Sequence, residues 1–490
     1  MIAQWVEDEM QGLDLDHQAR NQRCRRVLSD ISQRPHASLP AAVGGANADV
    51  QAIYRFMANE DVEIEALLKP HREATQRRFE NHRDIVLVQD TSEVDVTRPE
   101  QKVSGAGPLD NGARFGGFLH LMQAFSESGT PLGTVFSKQW SRPDEPKTKR
   151  SKAAREKAKY EARQRPIAEK ESYRWVEGIQ AAKTLSTEHP HKTFICISDS
   201  ESDIFEVFAE MPAGKRQVHL VVRACQDRAV VTDGTDDDAQ AWRTLWANVE
   251  QTPVKHTATI SIRGRDPKVP CNKRDRDQAR ASRVATVEIR ATSVTLRGPH
   301  RVGGNLSDTK LNAVLVREIN PPAGEAPVEW LLLTTLPIDS KKKIERVISL
   351  YALRWGIELF FRMLKQGCRI EERRFEYQDR VERFVAISLI VAWRICYMCH
   401  LGRECPEISC EAVFTRTEWQ LAYHTSTRRT PPKTPPTLPA MIRLVAQLGG
   451  YINRVRSDEP GIQTLWEGLQ RLHDLTLGYE FFAKTAKNSA

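Results

Sequence analysis

Nine cysteines scattered at irregular spacings through 490 residues do not make a secreted disulfide scaffold. The chain does not open on a basic segment followed by an apolar core, so no signal peptide is expected. Long hydrophobic runs are also missing. The longest, Phe384 to Trp393, is shorter than a bilayer requires and is followed by Arg394. A cytoplasmic protein with no membrane partner is the expectation. Gly105-Ala-Gly107 lacks the Lys-Ser/Thr of a phosphate loop and predicts a turn. Cys396-Tyr-Met-Cys399-His400 has the letters of a haem-attachment site, but in an apolar helical stretch without an export signal it predicts core packing. Cys405 and Cys410 do not have the spacing of paired zinc ligands. Internal repeats are absent.

What is present is the balance of a soluble globular chain, 40% hydrophobic and 28% charged, long enough for two or three domains. The net charge of +8 favours a polyanionic partner such as nucleic acid. That charge is concentrated. Between Lys147 and Arg165, nine basic and two acidic residues give a local +7, which leaves the rest almost neutral. This stretch is read equally as a solvated helix or as a contact to flanking or target DNA.

Three textures follow one another. Residues 1–76 read as a helical module carrying Arg20, Arg23, Arg25 and Arg26, with Tyr54-Arg55-Phe56 further on. Residues 77–400 read as an α/β domain. Its buried strands include Asp84-Ile-Val-Leu-Val-Gln-Asp90 and Thr193-Phe-Ile-Cys-Ile-Ser-Asp199, and a β-rich insertion is expected over about 215–337. Within that insertion, the segments beginning at His256 and Arg283 alternate with period two, and a loop rich in arginine and aspartate, Lys273 to Arg283, lies between them. A long helical region is expected from Lys341 to His400. Residues 401–490 read as helical, with a stiff proline-rich linker at Thr430–Pro439 and helices broken at Gly449-Gly450 and Pro460-Gly461.

Asp90 and Asp199 each stand where an apolar strand closes. An acid there leaves the core yet stays rigidly held, which suits a Mg²⁺ ligand. Either acid alone reads as readily as a turn or helix cap. A third acid lies in Tyr351-Ala-Leu-Arg354-Trp-Gly-Ile-Glu358, followed by Lys365. On one continuous helix, at about 100° per residue, these four residues fall within an arc of about 60°. Cations beside a metal-binding carboxylate are suited to gripping a DNA phosphate. Asp203, one turn after Asp199, reads as structural support.

The spacing Y-x₂-R-x₃-E-x₆-K is the YREK signature of bacterial insertion-sequence transposases, and the chain resembles the DDE transposases of the Tn-five (IS-four) group. Matching stretches include Ile53-Tyr-Arg-Phe, Gln89-Asp-Thr-Ser, Arg142-Pro-Asp-Glu-Pro, Asp199-Ser-Glu-Ser-Asp-Ile, Leu311-Asn-Ala-Val-Leu, Trp330-Leu-Leu-Leu-Thr, Leu448-Gly-Gly and Leu465-Trp-Glu-Gly. Their order covers nearly the whole chain. The resemblance implies an RNase H-like core with the β-rich insertion, flanked by an end-binding N-terminal domain and a C-terminal dimerisation domain. It implies a triad of Asp90, Asp199 and Glu358 holding two Mg²⁺ ions, with Mn²⁺ as a substitute. It implies cut-and-paste transposition on double-stranded DNA: nicking, hairpin formation and resolution, and strand transfer of inverted-repeat ends into target DNA, by a homodimer in the nucleoid. Trp330 matches the position that captures a flipped base, Arg223 matches an arginine near the same DNA end, and Arg20, Arg23 and Arg55 match end-binding positions. Two other readings compete: a catalytically silent inhibitor of transposition, and a plain nuclease. The intact triad argues against the first, and the C-terminal helices with the Tyr-Arg-Lys stripe argue against the second.

Overall fold

The computed structural model describes residues 2–110, 113–144, 151–211, 217–231, 243–262, 281–301, 304–452 and 460–488. The chain opens on helices α1 (Gln4–Glu9), α2 (Gln18–Gln33), α3 (Leu39–Ala42), α4 (Asn47–Ala58) and α5 (Ile64–Arg77). Strands β1 (Asp84–Asp95), β2 (Gly107–Pro108), β3 (Phe115–Phe125) and β4 (Pro131–Trp140) precede helices α6 (Lys152–Gln164) and α7 (Tyr173–Glu188). Next come β5 (Thr193–Ser198), α8 (Phe205–Ala209), β6 (Val218–Arg223), β7 (Ala229–Val230), β8 (Arg243–Thr244), α9 (Leu245–Glu250) and β9 (His256–Ile262). Then follow β10 (Arg283–Leu296), β11 (His300–Arg301), β12 (Gly304–Asn305), β13 (Thr309–Glu318) and β14 (Glu329–Thr334). The chain closes on α10 (Lys341–Ala352), α11 (Trp355–Arg362), α12 (Gln378–Glu404), α13 (Arg416–Thr427), α14 (Leu438–Leu448) and α15 (Ile462–Asn488).

One sheet carries the order β2-β3-β1-β5-β6-β14-β13-β10-β7-β8, with β4 on β3 and β9 on β10. Its central part, β4-β3-β1-β5-β6, joins an antiparallel β3/β4 pair to a parallel β5/β6 pair, the arrangement of an RNase H-like core. The expected β-rich insertion is present, and it extends this same sheet: β6, β14, β13 and β10 pair antiparallel in turn. The arginine- and aspartate-rich loop from Lys273 lies outside the described residues up to 280. The chain divides into two compact units: Met1–Ile85, Asp90–Lys147 and Trp355–Ala490 form one, Val86–Gln89 and Thr148–Arg354 the other.

Apolar burial explains the central strands. Ile85, Val86, Leu87 and Val88 of β1 and Phe194, Ile195 and Ile197 of β5 have no exposed surface, each contributing about 1.5–3 kcal/mol. Helix α7 turns Trp175, Ile179, Ala182 and Leu185 inward at helical spacing.

Three expectations need correction. Strand β1 does not close at Asp90; it runs on to Asp95, so Asp90 sits within a strand, where full burial gives way to half-burial. The YREK segment is not one helix. Helix α10 stops at Ala352, Leu353 and Arg354 turn with N–H bonds back to Leu350 and Tyr351, and α11 begins at Trp355. Gly356 then meets the Phe125 ring so closely that a Cβ would stand 3.0 Å from it. Finally, α12 is longer and more apolar than the run of ten residues suggested: 27 residues, with a mean hydropathy of 1.8 over its most apolar window, enough to cross a membrane. That window is 78% buried within the fold, as in the core helix of a globular domain. Arg394 does not end it but lies over the Trp5 ring, 5.4 Å from its centroid.

A buried charge network ties α1 to α5. Glu9, 5% exposed, accepts from Arg78 at 2.8 and 3.0 Å and lies 2.5 Å from Nδ1 of the fully buried His71. Nε2 of His71 accepts from the Thr134 N–H at 3.1 Å, which leaves Nδ1 as the donor to Glu9. Burial pushes the Glu9 carboxyl up, but the His71 and Arg78 interactions outweigh it and hold it at about 2, below its ordinary 4.5. A depressed carboxylate stabilises the fold above its unfolded value and loses that contribution as pH falls. Chemical denaturation should show up to about 3 kcal/mol lost between pH 4.5 and 2. Glu9→Gln should flatten that pH profile; an unchanged profile would exclude the network as its source.

Candidate active site

Within the unit formed by Val86–Gln89 and Thr148–Arg354, four of the sequence-predicted residues, Asp199, Arg223, Trp330 and Arg354, act on a fifth, Tyr351. Asp199 follows the last residue of β5 and is half-buried. Its Oδ1 accepts the Glu201 N–H at 2.9 Å, capping the short turn Ser200–Ser202. The capping reading is therefore real, and it pins the carboxylate. Tyr351 is 5% exposed, so its hydroxyl does not lie on an open helical stripe as expected. Its ring meets Trp330 edge-on at 5.4 Å, and Arg223 hydrogen-bonds its side chain. Burial raises the phenol's pKa, while Arg354 and Arg223 pull it down and Asp199 adds to the rise. Arg223 pairs with Leu332 in the β6–β14 register, and its Nη2 donates to the Glu329 carbonyl at 3.3 Å, beside Trp330. Trp330 is half-buried and Arg223 exposed.

Two supports of Asp199 escaped the sequence reading or were only sketched there. Arg174, in the first turn of α7, donates to Glu201 at 3.0 Å with its side chain 12% exposed, and feels the charge of Asp199. Asp203 is structural, as expected: 1% exposed, it accepts the N–H groups of Cys225 and Gln226 at 2.7 and 2.8 Å and pairs with Arg228 at 2.8 Å. It thereby locks the turn after Asp199 to the loop after β6.

In the other unit, Asp90 is half-buried, with Oδ1 accepting the Thr91 N–H at 2.7 Å. Glu358 lies in the first turn of α11, also half-buried. Lys365 lies in the π-turn Met363–Gly367 and pairs with Glu371 at 3.0 Å. Glu371 also accepts the N–H of Asp95, at the end of β1, at 3.0 Å. The N-terminal arginines differ from one another. Arg20 is committed to Asp61 and the Leu15 carbonyl, both at 2.5 Å; Arg23 is half-exposed, 3.8 Å from Asp49; Arg55 is exposed. Tyr54 and Phe56, which flank Arg55, serve packing: Tyr54 meets Phe375 edge-on and Phe56 is buried. Of the basic stretch, 145–150 lies outside the described residues and the remainder falls largely on α6.

Among the described residues, no three His, Cys, Asp or Glu side chains are grouped closely enough to hold a metal ion by themselves. The donors at issue are nonetheless hard carboxylate oxygens, two of them oriented by backbone N–H groups, a set suited to Mg²⁺.

Family comparison matches three models in succession: a transposase DNA-binding domain over residues 2–62, a transposase DDE domain over 179–394, and a transposase Tn5 dimerisation domain over 390–487. The RNase H-like sheet and these matches define a DDE transposase, a DNA endonuclease and strand transferase. With the Tn5-type dimerisation domain closing it, the chain belongs to the Tn5-like DDE transposases. It therefore binds DNA, dimerises and acts in DNA transposition, and its DDE domain implies dependence on a divalent metal ion. A piggyBac transposase synaptic complex with hairpin DNA, solved by cryo-electron microscopy, shows a looser likeness. It has 8% identity and a TM-score of 0.36 over 83% of this chain and 73% of that one. The family assignment rests on the three matched domains alone.

Proposed function

We propose that this transposase works by cut and paste, with Asp90, Asp199 and Glu358 holding two Mg²⁺ ions for which Mn²⁺ can substitute. The observation that carries the reading is the succession of DNA-binding, DDE and dimerisation domains along one chain, with Asp199 and Glu358 inside the DDE match. Ions bound at those carboxylates would activate the attacking hydroxyl and stabilise the leaving oxygen. The protein's part is orientation. The backbone N–H groups of Thr91 and Glu201 hold the Asp90 and Asp199 carboxylates ready, and Arg223 and Arg354, grouped with Tyr351, offer cations to a phosphate. Lys365 exchanges Glu371 for a DNA phosphate. Arg23 and Arg55 contact the transposon ends, and Arg20 does so by releasing Asp61. The substrates are paired inverted-repeat ends held by a homodimer in the bacterial cytoplasm and nucleoid, with target DNA joined afterwards.

The test uses DNA carrying the inverted repeats that bracket the gene. Nicks followed by hairpins should appear with Mg²⁺ or Mn²⁺ and vanish with a chelator; cleavage that survives chelation would overturn the metal assignment. Trp330 supports the hairpin step, because stacking a flipped base on its exposed face contributes roughly 1–3 kcal/mol. Trp330→Ala should leave nicking near its normal rate and lower hairpin formation about 10-fold or more. Hairpins at the usual rate would exclude base capture.

A further inference from the structure

We infer that Arg373 and Arg383 are positioning residues that hold the end-binding domain in register with the catalytic domain and so set where the DNA is cut. Both arginines lie within the DDE match, at 179–394, and both reach into the DNA-binding match, at 2–62. All the residues concerned belong to one compact unit.

Arg373 is 6% exposed. Its Nη2 donates to the carbonyls of Pro35 and Cys368, each at 2.6 Å, and its Nη1 donates to the Ala37 carbonyl. Pro35 and Ala37 lie just beyond the end of α2, the helix that carries Arg20 and Arg23, and Cys368 closes the π-turn that carries Lys365. One guanidinium thus bonds the end of the DNA-reading helix to the segment continuing from Glu358. Arg383, 8% exposed on α12, makes the second attachment: Nε donates to Val62 O at 3.0 Å and Nη1 to Met57 O at 3.1 Å, with Asp379 at 2.5 Å balancing its charge. Met57 is in the last turn of α4, two residues after Arg55.

The chemistry of the clamp is specific. A buried guanidinium is costly unless its donors are satisfied. Both Nη groups of Arg373 are satisfied by carbonyls, which fix direction without contributing charge to the DNA face, its Nε is buried without a partner, and Phe384 covers it, with its guanidinium 4.8 Å from that ring. Phe375 extends the contact, meeting Phe384 at 5.9 Å and Tyr54 of α4 at 6.2 Å. The planar fork spans three carbonyls at once, a geometry the point charge of lysine does not reproduce. Loss of one attachment lets the end-binding domain shift, and a shift of about 1 Å at the reacting phosphate costs roughly 100-fold in rate.

The experiment uses the full-length protein and end-bearing DNA. For Arg373→Gln, end binding should stay within about threefold of wild type. Single-turnover nicking of the saturated complex should fall roughly 10- to 100-fold. The nicks, mapped to single nucleotides, should spread to neighbouring phosphates. Arg383→Gln should give the same spread with a smaller loss of rate, and it decides the matter if Arg373→Gln does not fold. A merely structural role would lower the melting temperature and leave rate and position on the bound complex unchanged. Nicking at the wild-type rate and at a single position, by whichever of these variants folds, would overturn the inference. The wild-type nick is the reference, so this failure would leave the assignment of Asp90, Asp199 and Glu358 untouched.

Discussion

Asp199→Asn should bind transposon ends as wild type does and cleave them at least about 10³-fold more slowly. If Asp199 holds the proposed ions, removing its carboxylate forfeits several kcal/mol of charge stabilisation, and each 1.36 kcal/mol is tenfold in rate. Asparagine is the informative choice. Asp199 also caps Ser200–Ser202 through the Glu201 N–H, and asparagine caps a turn about as well as aspartate, whereas alanine would add a loss of roughly 1 kcal/mol. The variant therefore separates the charge from the cap. Asp90→Ala and Glu358→Ala should likewise abolish cleavage, and end binding should persist because the DNA-binding domain, residues 2–62, lies elsewhere in the chain. A gel that reports binding and nicking on the same DNA decides the matter: normal nicking by any of the three would remove that residue from the triad.

Gly468→Ala should disrupt the C-terminal domain far beyond what one methyl group suggests. Helices α14 and α15 pack at two glycines. A Cβ on Gly468 would stand 1.8 Å from the Val445 carbonyl, and one on Gly449 would stand 1.9 Å from the Thr464 carbonyl. Both obstacles are backbone, so no side chain can rotate away; the helices themselves must separate. That separation opens a core built from Trp419, Met441, Val445, Leu465 and Leu472. Overpacking of this kind costs about 1–3 kcal/mol, with the upper end expected against backbone. Thermal unfolding should show the loss, and paired-end complexes should weaken by tenfold or more while binding of a single end persists. The control lies in the same helix. Gly478 has nothing within 4 Å of its Cβ position, so Gly478→Ala should be neutral or stabilise α15 by up to about 1 kcal/mol. Equal behaviour of the two variants would show that the close approach at Gly468 does not matter.

These glycines show how far the sequence could be read. Leu448-Gly-Gly and Leu465-Trp-Glu-Gly stood out as family stretches, yet nothing in the letters says that Gly449 and Gly468 face one another across two helices. The YREK spacing was equally visible. Its physical arrangement was not, because helical arithmetic presumes an unbroken helix and the turn at Leu353-Arg354 interrupts it. A tyrosine expected on an open stripe became a buried ring between Trp330 and Arg223.

Local pattern alone determined the strands that carry or precede Asp90 and Asp199 and the helical ends of the chain. Apolar runs, period-two alternation and glycine or proline breaks are written in neighbouring residues, and burial follows from them directly. Tertiary structure decided the rest. It extended β1 past Asp90, gave Lys365 the carboxylate of Glu371, and brought Arg373 to the carbonyls of residues 35 and 37, more than three hundred positions away. Such contacts depend on where backbone donors and acceptors finish after packing, and a carbonyl looks the same in every residue.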